Sequence, residues 1–389
     1  MYERTSVTAY VCFNLKALER SKDIPNMIIT GYFKRTKWFW LIAFLSILLI
    51  KLLALHSSYV EKFYTGYFYP LISVILRFLF GWIPFSIGDI CYFVAGCWLL
   101  YLLIGNISSL FRRKLTGTIV LKKMTRILVA LVIIYISFNI LWGLNYDRVG
   151  IAGQLNLPAA DYDTADVILL QEILLNKVNE NKEMLIRNKN VYPSGSQLFK
   201  RARHSYDNIA KIYPFIQYKT PSIKSSLYGS LGNYLGFTGY YNPFSGEAQV
   251  NTTVPKFLLP YITTHEMAHQ LGYAKEDEAN FVGYLAAANS PDTLFRYSTY
   301  LDLFVYANRE VYYFDSVLAK ESMIKLDTAV KEDLAEWRKF NLAHTSFIEP
   351  VITWIYGNYL KANQQPKGMR SYNEVIRMLI AYYKKYGRL

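Results

Sequence analysis

The sequence predicts an α-helical membrane region followed by a mainly α, α+β domain with a small sheet. Three observations support this fold class. Apolar runs between residues 38 and 145 are long enough to cross a bilayer. Farther on, apolar residues recur at three- and four-residue spacing, which is typical of amphipathic helices. The stretch 215–251 instead changes period and is rich in Gly, Tyr and Ser, which indicates two or three short strands.

The pattern divides the chain into an N-terminal segment (1–37), a transmembrane region of about three spans (38–145) and an extracytoplasmic domain (146–389). The first residues lack the apolar core and cleavage site of a secretory signal. The predicted spans are 38–55, 90–110 and 127–142. A further apolar run, 68–85, contains Arg77, Gly81 and two prolines. We interpret that run as interfacial or re-entrant.

Basic residues in the loops predict the orientation of these spans. The clusters at 34–37 and 112–126 hold nine Lys and Arg residues, against Lys62 and Arg77 between the first and third apolar runs. By the positive-inside rule the two clusters are cytoplasmic. Three spans then leave everything after Asn145 outside the cytoplasm, and the lipid bilayer is the first expected partner.

Composition argues against two other classes of partner. The formal charge is +14, but the basic residues are scattered and several flank the apolar runs, so we expect no nucleic acid. The three cysteines are Cys12, Cys91 and Cys97, and none follows residue 97. The C-terminal domain is therefore expected to have no disulfide partner and no thiolate ligand.

The strongest motif is His265-Glu266-Met267-Ala268-His269. On a helix, positions i and i+4 share a face, so His265 and His269 can bind one metal ion. Glu266 projects beside that face, where it can polarise a metal-bound water. The chain has only five histidines, and two of them stand here at ligand spacing.

A second helix is expected to begin near Lys275, after a turn at Gly272. It would bring a carboxylate against the histidines. A catalytic zinc takes three protein ligands and keeps one open position, so this carboxylate would be the third ligand. Glu276 and Glu278 are the two candidates for the third ligand. Glu278 lies about 200° round the helix from Glu276, so a helix starting near Lys275 favours Glu276.

The motif and the following Glu-x-x-Ala-Asn (276–280) resemble the zincin metallopeptidases whose third ligand is a glutamate. The resemblance implies Zn²⁺ held by His265, His269 and Glu276, with Asn280 supporting a ligand. It also implies that Glu266 is the general base on a zinc-bound water that hydrolyses a peptide bond.

The chain departs from these families in the short spacing between His269 and Glu276. The segment Asp277-Glu278-Ala279 resembles the ligand segment of other members, and Glu278 therefore stays the alternative.

From residue 38 onward the chain also resembles an uncharacterised bacterial membrane family. Its members have a few N-terminal spans, a Gly-Tyr-Tyr-Asn-Pro-Phe segment (239–244 here) and then H-E-x-x-H-Q-x-G-[YF] (265–273 here). This resemblance implies a multi-pass protein of a bacterial inner membrane, with the C-terminal domain on the periplasmic or external side.

Other parts of the domain give weaker indications. Residues 239–251 are the candidate edge strand for an extended peptide. His344, Tyr359 and Tyr372 are candidates for stabilising a transition-state oxyanion. Residues 146–162 are predicted to be a linker. Helices are predicted at 164–188, 197–213, 291–320, 327–341, 347–364 and 371–385.

We therefore expect a membrane-anchored zinc metallopeptidase that acts on a peptide or protein substrate. One alternative is a non-catalytic sensor or scaffold with a structural metal site. A structural site needs a fourth protein ligand and can dispense with Glu266. Another alternative is a zinc hydrolase of a non-peptide amide.

Overall fold

The computed structural model describes residues 37–111, 116–158 and 162–389. The predicted N-terminal segment, 1–37, lies outside the described residues except for Lys37. Part of the second basic cluster, residues 112–115, lies outside them as well.

The described chain is mostly helical and carries one three-stranded sheet. The first four helices are α1 (Lys37–Ala54), α2 (Ser57–Phe80), α3 (Ile87–Phe111) and α4 (Gly117–Leu141). The later helices are α5 (Gly150–Gln154), α6 (Thr164–Arg187), α7 (Gly195–Ile209), α8 (Gly229–Leu235), α9 (Leu259–Gln270), α10 (Glu276–Ala288), α11 (Thr293–Phe314), α12 (Ser316–Ile324), α13 (Thr328–Ala343), α14 (Glu349–Ala362) and α15 (Val375–Tyr386). The strands are β1 (Ile223–Ser225), β2 (Gly239–Asn242) and β3 (Glu247–Val250).

Four helices, α1 to α4, are long and apolar enough to cross a membrane. Three of them correspond to the predicted spans. The fourth is α2, which includes the first part of the run at 68–85 but begins earlier, at Ser57. Its segment Val60–Phe68 is π-helical. The association of the chain with a membrane therefore rests on four helices rather than three.

The chain forms two compact units. The first holds the described residues up to Leu53 together with Trp98–Asn139. Within it the ammonium group of Lys51 lies 6.0 Å from the centre of the Tyr135 ring. The second unit holds Ala54–Cys97 together with Ile140–Leu389. The sequence-based division at residue 145 thus differs from the structural one, because α2 and the start of α3 pack with the C-terminal residues.

One face of α2 is buried in the second unit. Tyr69, Ser73 and Arg77 lie on this face, and the Arg77 guanidinium donates to the Lys219 carbonyl at 3.0 Å. The opposite face is apolar and exposed. Its exposed apolar side chains include Phe63, Tyr67, Leu71, Ile75 and Phe78. Because its inner face is polar, buried and hydrogen-bonded to other residues of the second unit, α2 packs as part of that unit.

The predicted linker at 146–162 is wrong over its described first part. Tyr146, Ile151 and Leu155 are buried, and residues Gly150–Gln154 form α5. The apolar side chains of this stretch join the core instead of remaining in solvent, which is the expected outcome when burial offsets the entropy of ordering the chain. The chain therefore passes from the end of α4 straight into the second unit.

The small sheet predicted for 215–251 is confirmed. Its strand order is β1-β3-β2, with β1 parallel and β2 antiparallel to β3, so β2 lies at an edge. Glu247 on β3 accepts hydrogen bonds from the backbone N–H groups of Ile87 and Gly88, at 3.2 and 2.7 Å. A carboxylate at a helix N-terminus satisfies unpaired donors and complements the helix dipole. The start of α3 is thereby fixed to the sheet.

The long helix predicted for 291–320 is interrupted. α11 ends at Phe314, and the side chain of Asp315 accepts hydrogen bonds from the N–H groups of Val317 and Leu318. This N-cap starts α12 in a new direction, because an aspartate that caps a helix cannot continue the preceding one. The core of the unit lies where α6, α9, α10, α11 and α15 meet.

Candidate metal centre

Two consecutive helices, α9 and α10, carry the motif. The turn between them contains Gly272 with φ +85°, the left-handed conformation that favours glycine. Where the helices cross, a Cβ at Gly283 would lie 3.0 Å from the backbone nitrogen of His265. Glycine at this position therefore allows close backbone packing, which brings the first turn of α10 against the histidine face of α9.

Three side-chain atoms converge at this contact. The Nε2 atoms of His265 and His269 are 3.1 Å apart, and Glu276 Oε2 lies 3.3 and 3.5 Å from them. Bonds of about 2.0–2.1 Å at tetrahedral angles would place two zinc ligands roughly 3.3–3.4 Å apart. The three measured distances bracket that value. The donor atoms present thus fit one face of a tetrahedral metal site.

The backbone fixes the tautomer of His269. Its Nδ1 lies 2.7 Å from the Tyr273 carbonyl oxygen, which can only accept, so Nδ1 carries the proton and Nε2 is free to bind a metal. Burial alone would lower the pKa of His269, but the Glu276 carboxylate, 3.5 Å from its Nε2, raises that pKa to about 9. The second histidine, His265, is 6.4 Å from the ring of Tyr372, to which it is nearly parallel.

Glu276 is held by a tyrosine from a distant part of the chain. The Tyr356 hydroxyl on α14 donates to Glu276 Oε1 at 2.5 Å. Burial opposes ionisation, but the His265 and His269 imidazoles, 3.3 and 3.5 Å from Oε2, hold the pKa of Glu276 well below its ordinary value. In the described structure Oε2 accepts no hydrogen bond. A buried, ionised oxygen without a donor is what a metal ligand requires.

Glu266 is not part of the cluster formed by the His265, His269 and Glu276 side chains. It is buried, and burial raises its pKa to about 7. A Cβ at Gly239 on β2 would lie 2.4 Å from Glu266 Oε1, so the edge strand passes directly over this carboxyl group. No residue that the structure describes donates a hydrogen bond to Glu266 Oε2. The carboxyl group is therefore positioned between the metal cluster and the edge strand.

The alternative third ligand, Glu278, faces another environment. Its Oε1 lies 3.6 Å from Lys275 Nζ, and a Cβ at Gly150 would lie 2.1 Å from the same oxygen. Glu278 is not part of the His265–His269–Glu276 cluster. The structure thus brings Glu276 to the histidines and places Glu278 over the chain segment that follows α4.

The carbonyl groups at the C-terminal end of α9 and in the turn after it accept hydrogen bonds from side chains of α2 and of the segment that follows α4. The donors are Trp142 Nε1 to His269 O at 3.3 Å, Tyr69 Oη to Gln270 O at 2.8 Å and Arg148 Nη1 to Gly272 O at 3.1 Å. Arg148 is itself paired with Glu61 of α2 at 3.0 Å. These bonds satisfy acceptors that a helix end otherwise leaves free. Segments 54–97 and 140–148 therefore help to hold the end of α9, which carries His269 of the candidate metal centre.

Several weaker sequence-based candidates lie elsewhere. His344 directly follows α13, and its Nδ1 pairs with the Phe340 carbonyl at 2.8 Å; its oxyanion role stays a prediction. The Tyr359 hydroxyl pairs with Tyr146 at 3.1 Å. Asn280 was expected to contact a ligand histidine, but its side chain donates to the Tyr372 carbonyl at 3.2 Å. It thereby positions the tyrosine that faces His265.

Two supporting groups were not predicted. Tyr356 lies 80 residues from the glutamate that it contacts, and no local pattern marks it. The Tyr273 carbonyl is a backbone group, but the turn at Gly272 could have pointed to it, because a helix that ends in a tight turn leaves the next carbonyl near its last side chains.

Comparison with known proteins places the chain in a family without assigning a role. No curated protein and no solved structure matches it. Residues 64–380 match the family model described as a protein of unknown function (DUF3810). The matched region extends from α2 to α15 and contains His265, Glu266, His269 and Glu276. The chain therefore belongs to this family of proteins of unknown function.

Proposed function

We propose that the chain is a membrane-anchored zinc metallopeptidase. His265, His269 and Glu276 are the zinc ligands, and Glu266 is the general base. This proposal rests on three atoms, His265 Nε2, His269 Nε2 and Glu276 Oε2, which lie 3.1, 3.3 and 3.5 Å from one another. A second buried carboxyl group, that of Glu266, lies beside them. The likeness to zincins stays a prediction from the motif.

The donor set favours a catalytic zinc over a structural one. Two imidazoles and one carboxylate are a common catalytic zinc set, and a structural site has four protein ligands. Among residues 37–111, 116–158 and 162–389, no other His, Cys, Asp or Glu joins the cluster. Glu266 is buried next to it, although a structural site has no use for that group. Both features support a site with one position left for water or substrate.

Each residue has a definite part in peptide hydrolysis. A bound zinc supplies a Lewis acid that polarises a carbonyl and acidifies water. Glu266 takes the proton from the attacking water and returns it to the leaving amine, work suited to a carboxyl group with a pKa near the working pH. Tyr356 and the Tyr273 carbonyl orient Glu276 and His269, so the ligands do not have to reorganise.

The edge strand supplies a place for the substrate. Asn251 N–H donates to the Thr238 carbonyl, so in the antiparallel pair the backbone groups of Thr238 face β3 and those of Gly239 face the open edge. An extended peptide that adds to this edge would pair with Gly239. Since Gly239 lies against Glu266, the paired peptide bond would be next to the base.

The arrangement of the helices is compatible with an external active site. We propose that α1, α3 and α4 cross a bacterial inner membrane and that α2 remains with the C-terminal residues on the periplasmic or external side. The buried Arg77 and the Glu61–Arg148 pair support this position for α2, because both fix it to the metal-site unit. A topology reporter fused after residue 160 should then be external, and one fused after residue 118 cytoplasmic.

Metal removal tests the proposed activity. Protein purified in detergent should cleave members of a proteome-derived peptide library, lose this activity with a chelator and regain it when zinc is restored. Mass spectrometry of the products identifies the cleaved bonds. Cleavage that persists after complete zinc removal would exclude the proposed centre as its source.

A further inference from the structure

A cavity of about 750 Å³ lies next to the edge strand. Its walls come from the segment 232–238, from α11 and from α13. The volume is in the range of sites that hold small molecules. None of the groups assigned above to metal binding or proton transfer lines it.

The cavity adjoins the proposed active site in two ways. Thr238 lines it, and the next residue, Gly239, contacts Glu266. On α11, Val305 and Arg309 line the cavity, and Asp302 lies on the same helical face, three and seven residues earlier. The charge of Asp302 interacts with both His265 and Arg309. The cavity therefore begins at Thr238, one residue before the glycine that lies against Glu266.

The charges of the cavity select a type of ligand. Arg309 and Arg338 are lining residues, and Glu349 is the one acid among them. Neither guanidinium forms an ion pair or donates a hydrogen bond to any residue in the described ranges of the chain. Aromatic side chains complete the walls, namely Phe237, Tyr312, Trp337 and Phe340. Guanidinium groups bind carboxylates in a two-pronged geometry, and aromatic walls favour the accompanying apolar atoms.

The direction of the substrate follows from strand pairing. A peptide that adds antiparallel to β2 runs from the Asn242 end toward the Thr238 end. The peptide bond beside Gly239 and Glu266 is cut, so residues after that bond enter the cavity. Resting on the proposed peptidase function, we infer that Arg309 and Arg338 form a subsite for a carboxylate on the C-terminal side of the cleaved bond. The carboxylate belongs either to an acidic side chain or to the C-terminus of the peptide.

Matched peptides test the subsite. Starting from one cleaved sequence, we compare Glu with Gln at each of the two positions after the bond, and a free C-terminus with an amide. The wild-type protein should prefer the carboxylate form at one position by about tenfold in kcat/KM, the effect of one charge-assisted hydrogen bond. The Glu/Gln and acid/amide pairs show which of the two sources of carboxylate is used.

Substitution of the cavity arginines completes the test. Arg309→Gln/Arg338→Gln should lower kcat/KM for the carboxylate peptide to the value for its neutral partner, with the zinc content at the wild-type level. Lys339→Gln is the matched control, because Lys339 is also on α13 but lines a neighbouring cavity. If the double variant does not fold, the same peptides are compared on Arg309→Lys and Arg338→Lys, which keep the positive charge. They should retain part of the preference.

Binding gives a second readout that does not need turnover. The affinity of the carboxylate peptide for the Glu266→Gln protein should fall about tenfold when both cavity arginines are replaced. Equal cleavage of all peptides, or a preference for a carboxylate before the bond, would overturn the subsite and leave the peptidase function standing. Absence of cleavage of every peptide by zinc-loaded protein would overturn the peptidase function and the subsite together.

Discussion

The two faces of α10 carry carboxyl groups with different surroundings. Glu276 and Glu278 stand two residues apart and are buried to a similar degree, at 4% and 7% exposure. Glu276 meets two imidazoles, which hold its pKa low, whereas burial raises the pKa of Glu278 despite the nearby Lys275 and Arg148. Burial therefore does not distinguish them. Their difference comes from the helical phase, which turns one to the metal centre and the other to the segment that follows α4.

The largest effect expected from this difference concerns metal binding. Glu276→Ala should weaken zinc binding by far more than the roughly 10–100-fold typical of a change in a supporting residue, because it removes a ligand. Glu278→Ala should leave zinc bound. Zinc content and competition with a chelator measure both. Loss of zinc only from the Glu278 variant would reverse the assignment of the two faces.

Two glycines allow a similar comparison for turnover. A Cβ at Gly239 would collide with Glu266, and a Cβ at Gly150 would collide with Glu278. Gly239→Ala should reduce peptide turnover by about 100-fold, the cost of displacing a reacting group by about 1 Å, while zinc remains bound.

Gly150→Ala should lower stability, because Gly150 has φ +78°, but should preserve turnover per folded molecule. Thermal unfolding and turnover, measured together, separate the two outcomes. An inactive but fully folded and zinc-loaded Gly150→Ala protein would show that the Glu278 face also serves catalysis.

A smaller effect is expected from the tyrosines of α14. Tyr356→Phe removes the hydroxyl that donates to Glu276 and should reduce zinc affinity by about tenfold. Tyr359→Phe is the control, since its hydroxyl pairs with Tyr146 and not with a ligand. Equal affinities of the two variants would mean that the Tyr356 contact does not orient the carboxylate.

The same contrast explains what could be predicted from the sequence. The grouping of His265, His269 and Glu276 depends on helical periodicity and on one turn at Gly272, and both are local. The small sheet could likewise be predicted, because its change of period and its turn residues are local. Tyr356 and Trp142 could not be predicted, because each meets the centre through tertiary packing, 80 and 127 residues away from its partner.

The position of α2 was hard to predict for a different reason. An apolar helix face that packs against lipid has the same composition as one that packs against protein. By length and hydropathy α2 could cross a membrane, so composition does not tell the two apart. Arg77, together with Gly81 and two prolines, was the local sign that part of the run contacts protein, since a buried arginine needs partners. Its hydrogen bond to Lys219, more than 140 residues away, is visible only in the fold.

The central claim, that the cluster is a hydrolytic centre with Glu266 as its base, is tested most directly by the Glu266→Gln variant. Its zinc content and its rate of peptide cleavage should be measured on one preparation. We expect zinc to stay at the wild-type level, because all three ligands remain, and turnover to fall about 10²–10⁴-fold, because the proton acceptor is gone. Unchanged turnover with zinc bound would contradict the account and move the chemistry to other residues.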